Sequence, residues 1–227
     1  KIPVRDDFGV LILTHGRANN VKTVKSLQKA GYTGKWYIVI DDEDDQEDEY
    51  RRIYGERVIQ FCKEERARIT DVGDTSKERR CIIFARNEAF AIARKLGLRY
   101  FIELDDDYNN FEYLAETGKK LKHTKIKQIE KVFEAMITFL DVSNAKSVAM
   151  AQGGDLLGGV KDPRWKEQLL RKAMNSFIFR TDNPSNFVGR INEDVNTYVT
   201  GGQRGELFFT TLRVMLNQEQ TQKAKGL

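Results

Sequence analysis

Four short apolar runs each stop at a polar or acidic stretch: Phe8–Leu13, Trp36–Ile40, Arg57–Phe61 and Tyr100–Leu104. Runs of this length without alternation read as buried strands. Between them lie segments of helical period, and that alternation argues for parallel βαβ units. The expected class is therefore α/β, a Rossmann-like, mostly parallel sheet flanked by helices. The 227 residues fit one domain, and 40% hydrophobic content suffices for its core.

The first strand leads into the turn Thr14–His15–Gly16–Arg17, and Asn19 or Asn20 is expected to cap a helix through Val21, Val24, Leu27 and Ala30. The second strand ends in Asp41–Asp42–Glu43–Asp44–Asp45, and Glu47–Tyr54 reads as a short helix. Lys63 to Ser76 is polar and aperiodic, hence a loop. Ile82, Ala85, Ala89, Ile92 and Leu96 give one apolar face to a helix over roughly Lys77–Leu96, closed by Gly97.

The second half is less regular, so a mixed C-terminal part is expected. Ile126, Ile129, Val132, Phe133, Met136 and Phe139–Leu140 form a helical stripe. Ser147–Ala151, Asn175–Arg180 and Glu206–Thr210 read as strands, Gln152–Asp155 as a turn and Leu157–Gly159 as a glycine-rich loop. Gly189–Asp194 opens a further helix. Gly201–Gly205 is a candidate mobile loop or a plain turn.

The chemistry starts at Asp105, Asp106 and Asp107, at the mouth of the strand Tyr100–Leu104. At an effective dielectric of about 20, two like charges about 4 Å apart repel by about 4 kcal/mol. A divalent cation reverses that sign, and Mg²⁺ typically takes one or two carboxylates together with substrate phosphates. The carboxyl ends of strands are also where open α/β sheets bind ligands. A solvated acidic turn is the alternative for Asp105–Asp107, and the favoured reading beyond Asp42.

Parallel strands would bring Thr14, Asp41–Asp42 and Asp105–Asp107 to one edge. Hydrogen-bonding groups beside carboxylates suit a nucleoside diphosphate, with hydroxyls at one end and phosphates at the other. Arg86 and Asn87 lie in the helix that feeds the acidic strand; Arg86 or Arg79 could meet a phosphate as a fork donor, with a surface arginine as the alternative and the favoured reading for Arg79 and Arg94. Glu193–Asp194 opens a helix, where the dipole stabilises an anion; a carboxylate there also suits a general base.

Other classes are limited by what the chain holds. Cys62 and Cys81 lack metal-ligand spacing and read as free buried thiols, and His15 and His123 cannot build a histidine zinc site between them. With no long uncharged apolar run and no signal pattern, a soluble, cytoplasmic protein without stable membrane insertion is expected. The chain opens on Lys1 and not on Met, as expected of a trimmed chain. The net charge of +4 permits a polyanionic partner. Lys119, Lys120, Lys122, His123, Lys125 and Lys127 form a basic run that suits either a nucleic-acid groove or a solvated helix start. Trp165, between Arg164 and Lys166, is a second candidate contact, with packing as the alternative.

Ala85–Arg86–Asn87 followed by Tyr100–Asp107 resembles the "ARN…DDD" block of GT-A-fold nucleotide-sugar glycosyltransferases, and Asn192–Glu193–Asp194 resembles their "xED" motif. More narrowly, Leu13–Val21, Gly31–Gly34, Tyr37–Glu43 and Phe187–Tyr198 resemble phage-encoded glycosyltransferases of the TET-associated group. The resemblance implies a GT-A fold whose residues 1–110 bind the nucleotide sugar, a UDP-sugar being favoured, and whose residues 111–227 bind the acceptor. It implies Mn²⁺ or Mg²⁺ at Asp107 and Asp105, and donor contacts from Thr14, His15, Arg17, Asp41, Asp42, Arg86, Asn87, Asp105 and Asp106. It further implies catalysis by Asp194 with Glu193, and acceptor contacts from Lys120, Lys122, Trp165 and Arg190. The implied acceptor is 5-hydroxymethylcytosine in phage DNA, in an infected host cell. A polysaccharide, lipid or protein acceptor is the alternative within the class. Outside it stand a metal-dependent nucleotidyltransferase and an inactive binding module.

Overall fold

The computed structural model describes residues 5–156, 158–167 and 170–218. Lys1, and Leu157 of the glycine-rich loop, lie outside that set. Nine strands form one sheet in the order β3-β2-β1-β4-β8-β7-β9-β5-β6. β1 (Phe8–Leu13), β2 (Lys35–Asp41), β3 (Val58–Phe61) and β4 (Tyr100–Asp105) pair in parallel, as their continuous apolar sequences require. Beyond β4 the sheet turns mixed. β8 (Phe177–Arg180) runs antiparallel to both β4 and β7 (Ser147–Gln152), and β9 (Phe208–Gln218) is parallel to β7 and antiparallel to β5 (Tyr108–Thr117).

Two apolar layers sandwich the sheet. One holds the stripe residues Ile129, Val132, Phe133, Met136 and Leu140 of α5 (Ile129–Ser143), with α1 (Lys22–Lys29) and Tyr50 of α2 (Glu47–Tyr54) beside them. The other holds α4 (Ile83–Lys95), whose Phe90 packs edge-on against Phe101 of β4 at 5.0 Å between ring centroids. Burying both faces places the polar strand ends of β1, β2 and β4 along one rim.

Several expectations need correction. α1 is preceded by a 3₁₀ turn at Ala18–Asn20, and its cap position is Val21, so neither Asn19 nor Asn20 caps it. Lys63 to Ser76 is not all loop, because α3 (Lys63–Ala67) opens it. α4 begins at Ile83, since the Glu78 amide bonds back to Ser76 Oγ and Arg79 pairs with Glu43. The basic run is neither a helix start nor part of the cleft rim. Lys120, Lys122, His123 and Lys125 of the run lie in β6 (Lys120–Lys125), the outer strand of a hairpin with β5 that turns at Gly118, φ +62°; Lys119 is in that turn and Lys127 in the bend after β6. Gly201 lies within α6 (Glu193–Gln203), where a Cβ would meet Glu206 and Phe208 at 2.6 Å; Gly202 to Gly205 are exposed, and Arg204–Gly205 form the plain turn that follows the helix. The two cysteines are free but only half-buried.

Candidate functional site

The ends of β1, β2, β3 and β4 and the start of α6 surround a cleft of about 540 Å³. Ten of the residues singled out in the sequence line it: Thr14, His15, Arg17, Asp41, Arg86, Asp105, Asp106, Asp107, Glu193 and Asp194. Register explains the convergence. Leu13 pairs with both Val39 and Asp105, so the residues just beyond each strand share one rim.

The three aspartates do different work. Asp106 turns back into the protein, accepting from Thr14 Oγ1 at 2.6 Å and from Arg17 at 2.9 Å. Thr14 also meets the Tyr50 hydroxyl at 2.9 Å, and that hydroxyl accepts from the Arg17 amide. Asp105 accepts from Arg86 at 2.9 Å. Burial pushes its carboxyl up to about 6; Arg86 opposes the shift, and Asp107, Asp106 and Glu193 add to it. Asp107 accepts from Gln218 Nε2 at 3.2 Å through Oδ2, while its Oδ1 is buried with no hydrogen-bond partner. Burial raises the Asp107 carboxyl as well.

An orphaned carboxylate oxygen in a cluster of carboxylates is costly unless a cation meets it. Oxygen donors suit a hard divalent ion. Among the described residues there is no group of three or more acidic, histidine or cysteine side chains able to cage a metal. An ion here would meet the orphaned Asp107 Oδ1 and would need ligand oxygens to complete its shell, since Asp105 Oδ1 is taken by Arg86.

Arg86 lines the cleft, but its guanidinium is engaged by carboxylates. It is 1% exposed and binds Glu193 Oε1 at 2.9 Å and Asp105 Oδ1 at 2.9 Å, with Glu103 Oε2 at 3.5 Å. Burial works against its charge, but Asp105, Glu193 and Glu103 more than compensate, and its pKa is raised. One cation cannot balance three buried carboxylates. Burial pushes Glu103 up to about 8 against the pull of Arg86, and its Oε1 has no partner.

Asn87 lies off the cleft. Its side chain clamps Phe187, donating to the carbonyl at 2.9 Å and accepting from the amide at 2.8 Å. That clamp fixes the chain leading to α6, whose first turn holds Glu193 and Asp194. Burial raises the Asp194 carboxyl, and its Oδ1 accepts from the Val195 amide at 2.8 Å.

The remaining candidates lie elsewhere. Asp42 accepts from the Lys63 amide at 2.9 Å, outside the cleft lining. Trp165 is 1% exposed and packs with Leu114, Ala151 and Met215, which leaves no ring face for a base. Arg190 pairs with Asp74 at 2.9 Å. Lys120 and Lys122 are exposed on β6, and Lys120 stands opposite Thr117 at the hairpin end far from Tyr108. At 3.4 Å per residue, β5 carries that end roughly 30 Å from the cleft. Lys63, Tyr50 and Gln218 are site residues that sequence reading missed. Lys63 opens a polar stretch, Tyr50 sits in an ordinary amphipathic helix, and neither has a local signal. Gln218 reaches the site only through the topology of β9.

The model of the TET-associated glycosyltransferase family matches residues 8–227. No curated protein matches the sequence significantly. Among solved structures, a mycobacterial protein aligns with a TM-score of 0.53 at 12% identity, covering 92% of this chain and 64% of its own. Glucosyl-3-phosphoglycerate synthase from Mycobacterium tuberculosis, solved with Mn²⁺, UDP and phosphoglyceric acid, aligns at 0.51 and 11% identity, covering 92% and 68%. At these identities the likeness is one of fold. The chain spans about two thirds of the length of those structures.

Proposed function

Because the chain belongs to the TET-associated glycosyltransferase family, we propose that its cleft moves a sugar from a nucleotide sugar, preferentially a UDP-sugar, to a hydroxyl acceptor, with Mn²⁺ or Mg²⁺ bound at Asp107 and Asp105. The observation that carries this reading is the orphaned Asp107 Oδ1 in a carboxylate cluster that shares one cleft with Asp194. Residues 1–110 supply the nucleotide-facing wall, and residues 111–227 supply Asp194 and the acceptor side. The Mn²⁺ and UDP in the synthase of similar fold lend support.

The cation would neutralise the departing diphosphate, which is charge that develops in the transition state. The chain's own groups do the rest. Thr14 and Arg17 are pre-set by Asp106 and Tyr50 to meet the nucleoside. Arg86 holds Asp105 and Glu193 in place. Asp194 takes the proton of the acceptor hydroxyl, and its burial-raised pKa suits it to that exchange.

The proposed acceptor is 5-hydroxymethylcytosine in DNA, favoured by the family's name and by the exposed lysines of β6. No helix of the described residues is long and apolar enough to cross a membrane. The test is release of nucleoside diphosphate from a panel of sugar nucleotides with Mn²⁺ or Mg²⁺, with and without DNA carrying 5-hydroxymethylcytosine. DNA-dependent release with a matching mass gain on the modified base is expected. Release that ignores DNA would remove the acceptor, and pyrophosphate release from a nucleoside triphosphate would favour a nucleotidyltransferase.

A further inference from the structure

Arg80 has no role in the reading above, yet it lines the cleft. It sits on an irregular strap, residues 71–82, between α3 and α4. The strap is fastened on two sides. Arg190 donates to Asp74 at 2.9 Å, to the Ser76 carbonyl at 3.1 Å and to the Glu78 carbonyl. The Gly189 and Arg190 amides donate to the Asp71 and Val72 carbonyls at 3.0 and 2.8 Å. Those bonds tie the strap to the chain that enters α6. On the other side Arg79 pairs with Glu43, just beyond β2, at 2.6 Å. The Glu78 carboxylate accepts from the Arg80 amide at 2.8 Å. The backbone of Arg80 is thus held, while its side chain stays exposed at the cleft rim.

The charges of the cleft single this arginine out. Asp41, Asp105, Asp106, Asp107, Glu193 and Asp194 all line it. The other basic side chains of the lining are bound to members of that set. His15 and Lys63 meet Asp41, Arg17 meets Asp106, and Arg86 meets Asp105 and Glu193. Among the described residues, Arg80 is the one basic side chain of the cleft lining that makes no hydrogen bond or ion pair. Its guanidinium offers five donors in a fixed fork that matches a phosphate.

A DNA acceptor needs such a group here. Asp194 is 5% exposed, so a cytosine inside an intact duplex does not reach it. The target base has to leave the stack. Its flanking phosphates then come to the mouth of a cleft whose carboxylates repel them. We infer that Arg80 binds the DNA phosphate beside the extruded base and so brings the hydroxymethyl group to Asp194. Phosphate contacts fix register and orientation on the nucleic acid, which makes Arg80 an acceptor-positioning residue. The diphosphate of the donor lies deeper, at the cation of Asp107. The inference rests on the DNA-acceptor reading of the cleft.

Fluorescence anisotropy of duplexes carrying one 5-hydroxymethylcytosine, titrated over a range of salt with UDP and Mn²⁺ present, tests it. Wild-type protein, Arg80→Gln and Arg80→Lys are compared on duplexes of about six and about 20 base pairs, and calorimetry gives the UDP affinity of each. Arg80→Gln should weaken DNA binding roughly tenfold to hundredfold, the scale of a hydrogen bond to a charged group. The loss should be alike for both lengths, because the contact is beside the target base. The slope of log affinity against log salt should fall by about 1, the share of one phosphate contact. Arg80→Lys keeps the charge and should restore the slope. UDP affinity should not change. DNA affinity and salt slope that are unaltered in Arg80→Gln overturn the inference and leave the DNA-acceptor reading standing. A loss of UDP affinity in step with DNA also overturns it, and assigns Arg80 to the donor. Wild-type protein that binds UDP and no DNA overturns the DNA-acceptor reading itself, and the inference with it.

Discussion

Arg86 Nε donates to Glu193 Oε1 at 2.9 Å, joining residues 107 positions apart in the chain. The same guanidinium holds Asp105, so one buried cation ties the acidic strand end to the helix that presents Asp194. The relative placement of the carboxylates proposed to bind metal and to act as base depends on that side chain.

Arg86→Met should therefore destabilise the fold by about 3–5 kcal/mol, the usual loss when one partner of a buried charge network is removed. Arg86→Lys keeps the charge but not the fork, and it should fold with weakened transfer. Chemical denaturation compares the two. Equal stability of Arg86→Met and wild type would show that the network is not what holds this end of the sheet.

Asp194→Asn should slow transfer roughly 10²–10⁴-fold, the scale of general acid–base catalysis, with donor binding intact. The base acts ionised, and burial raises its pKa above the ordinary value. The rate should then rise with pH through that raised pKa and level off above it, and the rise should vanish in Asp194→Asn. A kcat/KM profile against pH reads this directly; a collapse of donor binding in the variant would mark Asp194 as structural.

Asn87→Ala removes both hydrogen bonds to Phe187. Transfer should fall along with a loss of roughly 1–3 kcal/mol, since the Phe187 amide and carbonyl are left buried without partners. Nucleotide affinity should hold, because Asn87 does not line the cleft. A variant that loses UDP affinity but keeps its stability would restore Asn87 to the donor site.

Lys120→Ala with Lys122→Ala should matter only for long DNA. The hairpin end lies roughly 30 Å from the cleft, and at 3.4 Å per base pair that is about nine base pairs. Transfer to duplexes of about 20 base pairs should weaken and lose part of its salt dependence, while a duplex of about six should be unaffected. Equal effects on both lengths would show that these lysines act through the fold.

The parallel half was legible because β1, β2 and β4 are buried on both faces and read as unbroken apolar runs. The acidic rim followed from strand direction alone. The β5–β6 hairpin was missed for the opposite reason. β6 is polar and exposed, and the buried Tyr108, Phe111 and Leu114 of β5 fall three residues apart, so neither strand shows a period of two and the lysines pass for a solvated helix. Arg86 and Asn87 were found by position, but their bonds to Glu193 and Phe187 were not legible, since those partners lie about a hundred residues away. Trp165 shows the same limit: the flanking charges suggest exposure, and Leu114 and Met215 bury it.

The most direct test of the account is UDP release from UDP-sugars by wild-type protein and Asp107→Ala, with Mn²⁺ and DNA carrying 5-hydroxymethylcytosine. The account predicts release by the wild type that chelation abolishes, and none by the variant. The variant should melt no lower than wild type, because losing one carboxylate relieves repulsion with Asp105 and Asp106. Undiminished release by Asp107→Ala would contradict the assignment of the cation to this strand end.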